Sequence, residues 1–496
     1  MIIFAIQNSR TSVRGASEGA LHILNLALSY PTEIAALQER GITIPGTWDG
    51  WYHFLHIPRT TLPWFPTGLI SRAGAALRRA GFEVGFEDQR ERPRGGLPEM
   101  GVTIPLRDYQ EEAVRRAVEF GRGVIDYPPR SGKTRAMVEI HRRLALPTIW
   151  IAPTDRIVVQ TLGVIEGFFG PNYAMQLVGV SREKEASFAR VVVTTAATAV
   201  NLSPEFYKTR EMIVVDEWHH ASAKSYSEIF SKCDHIYYRF GMTGTFFRSG
   251  HDDMAMQALL SESLAKVSSE ELVRRGFLVP THVVFIPVIA SKLRGVGDRF
   301  NGGFGKAGIH EHEWRNHTVA EVARFLAQSG MRVLILVGTK RQGRLILSKL
   351  RPLFTKGSHC QFSPVEFIST DCERGIQVQI LRSFNQGQEV QILIGTTIIG
   401  EGVDLPIADA LVYARGEKAK VGLIQSSYRV GTAASGKSQA ILVDFADRHH
   451  KILLSHSMQR LQVFYDEPTF SVTVLNDLSE FPRWLEERRR PGENRV

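Results

Sequence analysis

The sequence predicts an α/β fold in which two parallel sheets follow one another along the chain, behind a small α+β module at the N-terminus. Three observations predict it. Between residues 107 and 447, short and nearly continuous apolar runs alternate with helical stretches, the pattern of strands covered on both faces. These runs fall into two sets, one on each side of a glycine-rich segment at 293–308. A charged stretch rich in Pro and Gly at 88–98 (DQRERPRGGLP) reads as a linker that sets the N-terminal residues apart.

Taken in order, the first set of runs is Gly123-Val124-Ile125, Thr148-Ile149-Trp150-Ile151-Ala152, Val191-Val192-Val193 and Met212-Ile213-Val214-Val215. The second set covers 333–337, 391–394, 410–413 and 440–443. Another break lies at Leu278-Val279-Pro280, and no repeat of 20–50 residues is present, which excludes solenoids and propellers. The expected domains are therefore 1–95, an N-terminal α+β module; 96–282 and 283–450, the two α/β lobes; and 451–496, a C-terminal extension.

Composition bounds the function. At about 150 residues per domain, 496 residues suggest three domains. A hydrophobic content of 43% with 22% charged residues excludes disordered and fibrous classes. Sixty Lys and Arg against 51 Asp and Glu leave a net charge of +9. That excess suits a polyanionic partner, and equally suits solvated basic side chains. Three cysteines, Cys233, Cys360 and Cys372, form neither a disulfide framework nor a CxxC site, as expected in a reducing compartment. With no signal peptide and no spanning run, the expectation is a cytoplasmic protein without a membrane partner, in a bacterial or phage-infected cell.

The chemistry begins where a strand ending at Asp126 gives way to Gly132-Lys133-Thr134 and a helix. In that setting the backbone N–H groups of the loop and helix start surround phosphate oxygens. Pro129, Arg130, Ser131 and Gly132 form the cradle, Lys133 reaches the β/γ-phosphates, and the Thr134 hydroxyl ligates Mg²⁺. The match to GxxxxGK[ST] is incomplete, because Tyr127 stands where the first Gly belongs. An apolar strand at 212–215 then delivers Asp216 and Glu217 to the same crevice. There Asp216 holds the Mg²⁺ shell and Glu217 accepts a proton from the attacking water. Together the two halves indicate an enzyme that hydrolyses ATP with Mg²⁺.

With Asp216-Glu217-Trp218-His219 in view, the chain resembles superfamily-two helicases, and other motifs follow in that family's order. The resemblance implies two RecA-like lobes with ATP bound between them. It makes Arg107 and Gln110 readers of adenine. It assigns Ile151-Ala152-Pro153-Thr154 and Val193-Thr194-Thr195 to strand contact, and Thr243-Gly244-Thr245 to coupling between ATP state and lobe position. In the second lobe Val337-Gly338-Thr339, Gly400-Glu401-Gly402-Val403-Asp404 and Gln425 to Arg429 resemble the later motifs. Gly402 and Asp404 then join the nucleotide site, Arg429 reaches the γ-phosphate, and His219 and Gln425 couple. Gly46-Thr47-Trp48-Asp49-Gly50, Phe65-Pro66-Thr67-Gly68-Leu69 and Gly81-Phe82-Glu83-Val84 are similar to the N-terminal module of phage UvsW-type helicases, which remodel branched DNA.

The last motif departs from the family's QxxGRxxR. Tyr428 replaces the Gly, and Thr432 stands where the second arginine belongs. Hydrolysis is therefore expected to be slower than in relatives. Thr154, Arg156, Thr195 and Thr396 read either as phosphate-backbone contacts or as helix caps and solvated loops. Phe246-Phe247-Arg248 suits base stacking or packing between lobes, His449 and His450 suit a solvated helix face, and Arg488-Arg489-Arg490 a basic tail. The expected activity is ATP-driven remodelling of branched DNA, with RNA a partner only in R-loops. Two alternatives remain: a duplex translocase that separates no strands, and a junction binder with a weakened ATPase.

Overall fold

A computed structural model describes residues 1–31, 49–93, 102–218, 223–244, 252–293, 303–354, 361–396, 405–418 and 420–489. They form two compact units, Met1–Val267 and Ser268–Val496.

The first unit begins with strands β1 (Ile2–Ile6), β2 (Arg10–Arg14), β3 (Ser29–Pro31), β4 (Trp51–His53), β5 (Trp64–Pro66) and β6 (Val84–Asp88). Four of them form a mixed sheet in the order β5-β2-β1-β6, and β3 pairs antiparallel with β4. Helices Glu18–Ala27 and Ile70–Arg79 supply Leu24, Ala73 and Leu77 to a core with Phe4, Val13 and Phe65. Ser17 caps the first of these helices, accepting from Ala20 N.

The same unit continues with β7 (Arg122–Asp126), β8 (Thr148–Ala152), β9 (Ala174–Leu177), β10 (Val191–Thr195), β11 (Met212–Val215), β12 (Tyr238–Thr243) and β13 (Ser263–Lys266). They make one seven-stranded sheet, parallel throughout, in the order β13-β7-β12-β11-β8-β10-β9. Parallel strands put all their carboxyl ends on one rim, where ligands bind in such sheets.

The N-terminal module is seated on this sheet by shared core and by polar contacts. Helix Asp252–Leu260 sends Met254 and Ala258 into the module's core, and Met256 and Leu260 into the core of the sheet. Asn8 Nδ2 donates to His235 O at 3.0 Å, Arg122 to Asn8 O at 2.6 Å, and Arg239 to Ser9 Oγ at 2.8 Å. The stretch read as a linker is anchored at its start: Arg92 Nε donates to Tyr238 Oη at 2.8 Å, and Arg90 lies over the Tyr237 ring.

The second unit holds β14 (Thr281–Val288), β15 (Val333–Leu336), β16 (Val365–Ile368), β17 (Ile392–Gly395), β18 (Ala410–Tyr413), β19 (Ala440–Asp447) and β20 (Phe470–Val474). These too form a parallel seven-stranded sheet, in the order β16-β17-β15-β18-β19-β14-β20. Residues beyond 450 are part of it. β20 is an edge strand, and helix Phe481–Arg489 buries Phe481, Trp484 and Leu485 in the sheet's core. Arg488, expected in a loose tail, lies in this helix and donates to Thr473 Oγ1.

Behind β19 lies a buried ionic network. Arg315 Nε meets Asp447 Oδ1 at 2.7 Å, and Arg460 pairs with Asp444 at 2.8 and 3.0 Å, all four side chains being fully buried. The guanidiniums also fix the backbone between β18 and the next helix: Arg315 donates to Ala414 O at 2.8 Å, and Arg460 to Gly416 O at 3.0 Å. His449, expected on a solvated face, is 1% exposed, with Nε2 bonded to Gly308 O at 2.8 Å. The ring of His312, just after the glycine-rich stretch, packs against the His449 ring at 4.6 Å between centroids. Among the described residues no cluster of three or more His, Cys, Asp or Glu side chains is arranged to hold a metal ion, and no helix is long and apolar enough to cross a membrane.

Candidate functional site

The residues predicted to form the phosphate site lie on the rim of the first sheet. β7 ends at Asp126, residues 127–132 form the loop, and helix Lys133–Leu144 follows. Arg130 (φ 69°) and Gly132 (φ 82°) take left-handed backbone conformations that turn the loop. At Gly132 space adds to backbone, since a Cβ there would lie 2.3 Å from Gln110 Nε2.

Arg107 and Gln110 lie beneath this loop. Helix Asp108–Phe120 opens with a capping box in which Arg107 N donates to Gln110 Oε1 at 2.9 Å. Gln110 Nε2 and Tyr109 Oη both donate to Ser131 O, each at 2.7 Å, so the helix holds the loop by its backbone. Arg107 donates to Tyr109 Oη at 2.8 Å. Tyr127, which displaces the expected glycine, is 1% exposed and donates its hydroxyl to Tyr109 O. The departure in sequence is thus a structural anchor. Tyr109 and Tyr127 were the residues missed; the only signal was two aromatics inside otherwise polar motifs.

Lys133 and the carboxylates converge. Lys133 Nζ donates to Tyr127 O at 3.2 Å and lies 3.6 Å from Glu217 Oε1. Asp216, at the end of β11, is 7% exposed, and its Oδ1 accepts from Glu217 N at 2.9 Å. Burial first, then the neighbouring Glu217 carboxylate, push Asp216 up from the usual carboxylate range, with Lys133 opposing. Glu217 adopts a left-handed φ of 44°, an uncommon conformation for a residue with a Cβ. Its Oε2 accepts from Gly244 N at 3.4 Å.

Gly244 makes room for the lysine. A Cβ at this position would lie 2.7 Å from Lys133 Nζ and 3.3 Å from Pro129 Cγ. Gly244→Ala should therefore displace the ammonium and slow ATP hydrolysis about tenfold or more while leaving the melting temperature in place, because small displacements of catalytic groups cost large factors in rate. Steady-state kinetics beside a thermal melt check this.

The remaining predicted residues are distributed as follows. Pro129 and Thr134 are half-buried beside the lysine, and Thr243 is buried, its carbonyl accepting from Tyr127 N at 3.2 Å. Thr154 and Thr195 cap helices Asp155–Phe169 and Ala196–Ala199. Arg156 is half-buried on the first of these helices. In the second unit Thr396 is 8% exposed after β17, Gln425 is half-buried, and Arg429 is 5% exposed on helix Lys420–Val430. His219, Thr245, Gly402 and Asp404 lie outside the described residues, as do Phe246-Phe247-Arg248.

Comparison with known proteins matches two family models: "Type III restriction enzyme, res subunit" at residues 103–248, and "Helicase conserved C-terminal domain" at 316–434. The chain is 21% identical to the ATP-dependent DNA helicase uvsW of Enterobacteria phage T4 over 467 residues, covering 85% of this chain and 89% of that protein. It is 23% identical to the DNA 3'-5' translocase XPB2 of Sulfurisphaera tokodaii over 376 residues, 70% of this chain and 82% of the relative. The fold is shared with the ATP-dependent type ISP restriction-modification enzyme LlaBIII bound to DNA, at a TM-score of 0.55 and 13% identity over 84% of this chain and 36% of that one. With one family model on the phosphate-loop sheet and the other on the second sheet, the chain is an ATP-hydrolysing helicase that resembles the superfamily-two helicases of UvsW type.

Proposed function

We propose that the chain is a DNA helicase that spends ATP to remodel branched DNA such as forks, D-loops, R-loops and junctions. The observation that carries the motor is the convergence of Lys133, Asp216, Glu217 and Gly244 on one sheet rim. The residues present fit a magnesium nucleotide. Ser131 Oγ is buried without a hydrogen-bond partner beside the loop, and a cradle that a Cβ at Gly244 would fill surrounds the lysine. Residues 129–134 would hold the phosphates, and Thr134 and Asp216 the Mg²⁺, which when bound neutralises phosphate charge. Lys133 orients the terminal phosphates, and Glu217 takes the proton from water. Arg107 and Gln110 belong to the adenine side, and Gly402, Asp404 and Arg429 complete the nucleotide machinery. His219, Thr243, Thr245 and Gln425 are the proposed coupling residues.

DNA as the substrate is supported by two relatives whose names specify DNA, one of them matched over 85% of this chain. The net charge of +9 agrees. Thr154, Arg156, Thr195 and Thr396 are the proposed backbone contacts, and such contacts make affinity fall steeply with salt. ATPase and unwinding measured on fork, D-loop, Holliday-junction and RNA-duplex substrates test this reading. Preference for an RNA duplex would overturn it. The relative named as a translocase supports the second reading, motion along duplex DNA without strand separation. Triplex displacement without unwinding would select it.

Thr432→Arg restores the charge missing from the last motif. The expected result is a gain in DNA-stimulated ATPase over the native chain. No gain would mean that the missing arginine does not limit turnover.

A further inference from the structure

The residue that replaces the motif's glycine ties two distant stretches of the second unit together. Tyr428 lies in the last turn of helix Lys420–Val430 and is 3% exposed, with its ring against Phe470. A buried phenol needs a polar partner, and this one donates to Glu467 Oε1 at 2.7 Å. The same carboxylate oxygen accepts from Ser269 Oγ at 2.7 Å and from Thr469 Oγ1 at 3.3 Å. Ser269 is the first residue of helix Ser269–Arg274, at the very start of the second unit, directly downstream of Val267.

The backbone makes a second grip a few residues on. Val279 N donates to Gly431 O at 2.9 Å, and Ala433 N to Phe277 O at 3.3 Å, with Leu278 and Thr432 bridged antiparallel. Thr432, where the family has an arginine, is thus part of this seam. Arg429 falls between the two grips, with Tyr428 before it and Gly431 after it.

We propose that Tyr428 is a positioning residue: through Glu467 it locks residues 268–279 to the helix end that carries Arg429, and so sets the orientation of that arginine for ATP hydrolysis. A glycine could not make this link, because it has no side chain to cross from the helix to Glu467. The proposal rests on the reading of Arg429 as a γ-phosphate residue. Tyr428 touches no reacting atom in it.

The test is steady-state ATPase of the full chain with DNA present, for Tyr428→Phe, Arg429→Ala and the double variant. Tyr428→Phe keeps the ring and deletes the hydroxyl. Its kcat should fall about tenfold with the KM for ATP within about twofold, the loss expected when a hydrogen bond to a charged group is removed. In the Arg429→Ala background the same change should cost nothing more. Glu467→Gln, which keeps an acceptor oxygen, should retain most of the rate that Glu467→Ala loses. If Arg429→Ala leaves kcat intact, the reading of Arg429 fails. If Arg429→Ala is slow and Tyr428→Phe is not, the positioning proposal fails. An equal loss from Tyr428→Phe in both backgrounds also overturns it. Should Tyr428→Phe fold poorly, Ser269→Ala decides in its place by the same split between kcat and KM, an unchanged kcat counting against the proposal.

Discussion

Replacing Glu217 with glutamine should lower the maximal rate of ATP hydrolysis by about 10²–10⁴-fold, the range for loss of a general base. Nucleotide binding should survive, because the amide keeps the side chain's shape. Glu217 stands where that effect is largest. Its carboxylate lies 3.6 Å from Lys133 Nζ and accepts from Gly244 N, on a backbone held at φ 44°. A conformation that costs energy at a carboxylate beside a phosphate loop calls for a return elsewhere, and in the proposed mechanism the return is in the rate. Single-turnover hydrolysis and binding of a fluorescent ATP analogue, measured on the same variant, check the two halves. Weak binding with an unchanged rate constant would refute the assignment.

The second large effect concerns stability. Arg460→Ala should destabilise the second unit by about 3–5 kcal/mol, because it leaves Asp444 buried without its guanidinium. Asp444 is fully buried, and burial already pushes its carboxyl up against the pull of Arg460. Joint replacement by apolar residues, Arg460→Met with Asp444→Leu, should cost less than Arg460→Ala alone, since no charge is then stranded. At roughly 2–4 °C per kcal/mol for a unit of this size, a thermal melt resolves the difference. The network also sets the backbone at Ala414 and Gly416. Loosening of the helix that follows should therefore accompany the loss of stability.

The strands that were legible in the sequence are the central ones. β8, β11, β15 and β18 are buried at every position and carry runs of Val, Ile and Leu, which only a doubly covered sheet requires. β9, β13, β16 and β20 are short strands at or near a sheet edge, half-buried and mixed in composition, and no run marks them. β12 was hidden for another reason: its sequence, YRFGMT, carries a buried Arg239 whose charge is satisfied by the carbonyls of Ile236 and Cys233 and by Ser9 of the module. Such a residue reads as surface until its partners are known.

The candidate site divides in the same way. Lys133, Asp216 and Glu217 follow from spacing and strand context. The aromatic pair Tyr109 and Tyr127 does not, because what they support is backbone, at Ser131 O and at Tyr109 O. The ionic network was invisible for a related reason. Arg315 and Asp447 are 132 residues apart in sequence, and nothing local links them.

Helix Asp252–Leu260 has its two faces in different cores, Met254 and Ala258 on one side, Met256 and Leu260 on the other. A wall common to two rooms cannot be removed from one alone. The N-terminal module and the first sheet are therefore expected to melt in one cooperative step, with no folded intermediate in which the module has come away. In mechanical terms the module is a buttress of the motor sheet, not a pendant on a tether, and a load placed on it passes into the helix that follows Gly244 in the chain.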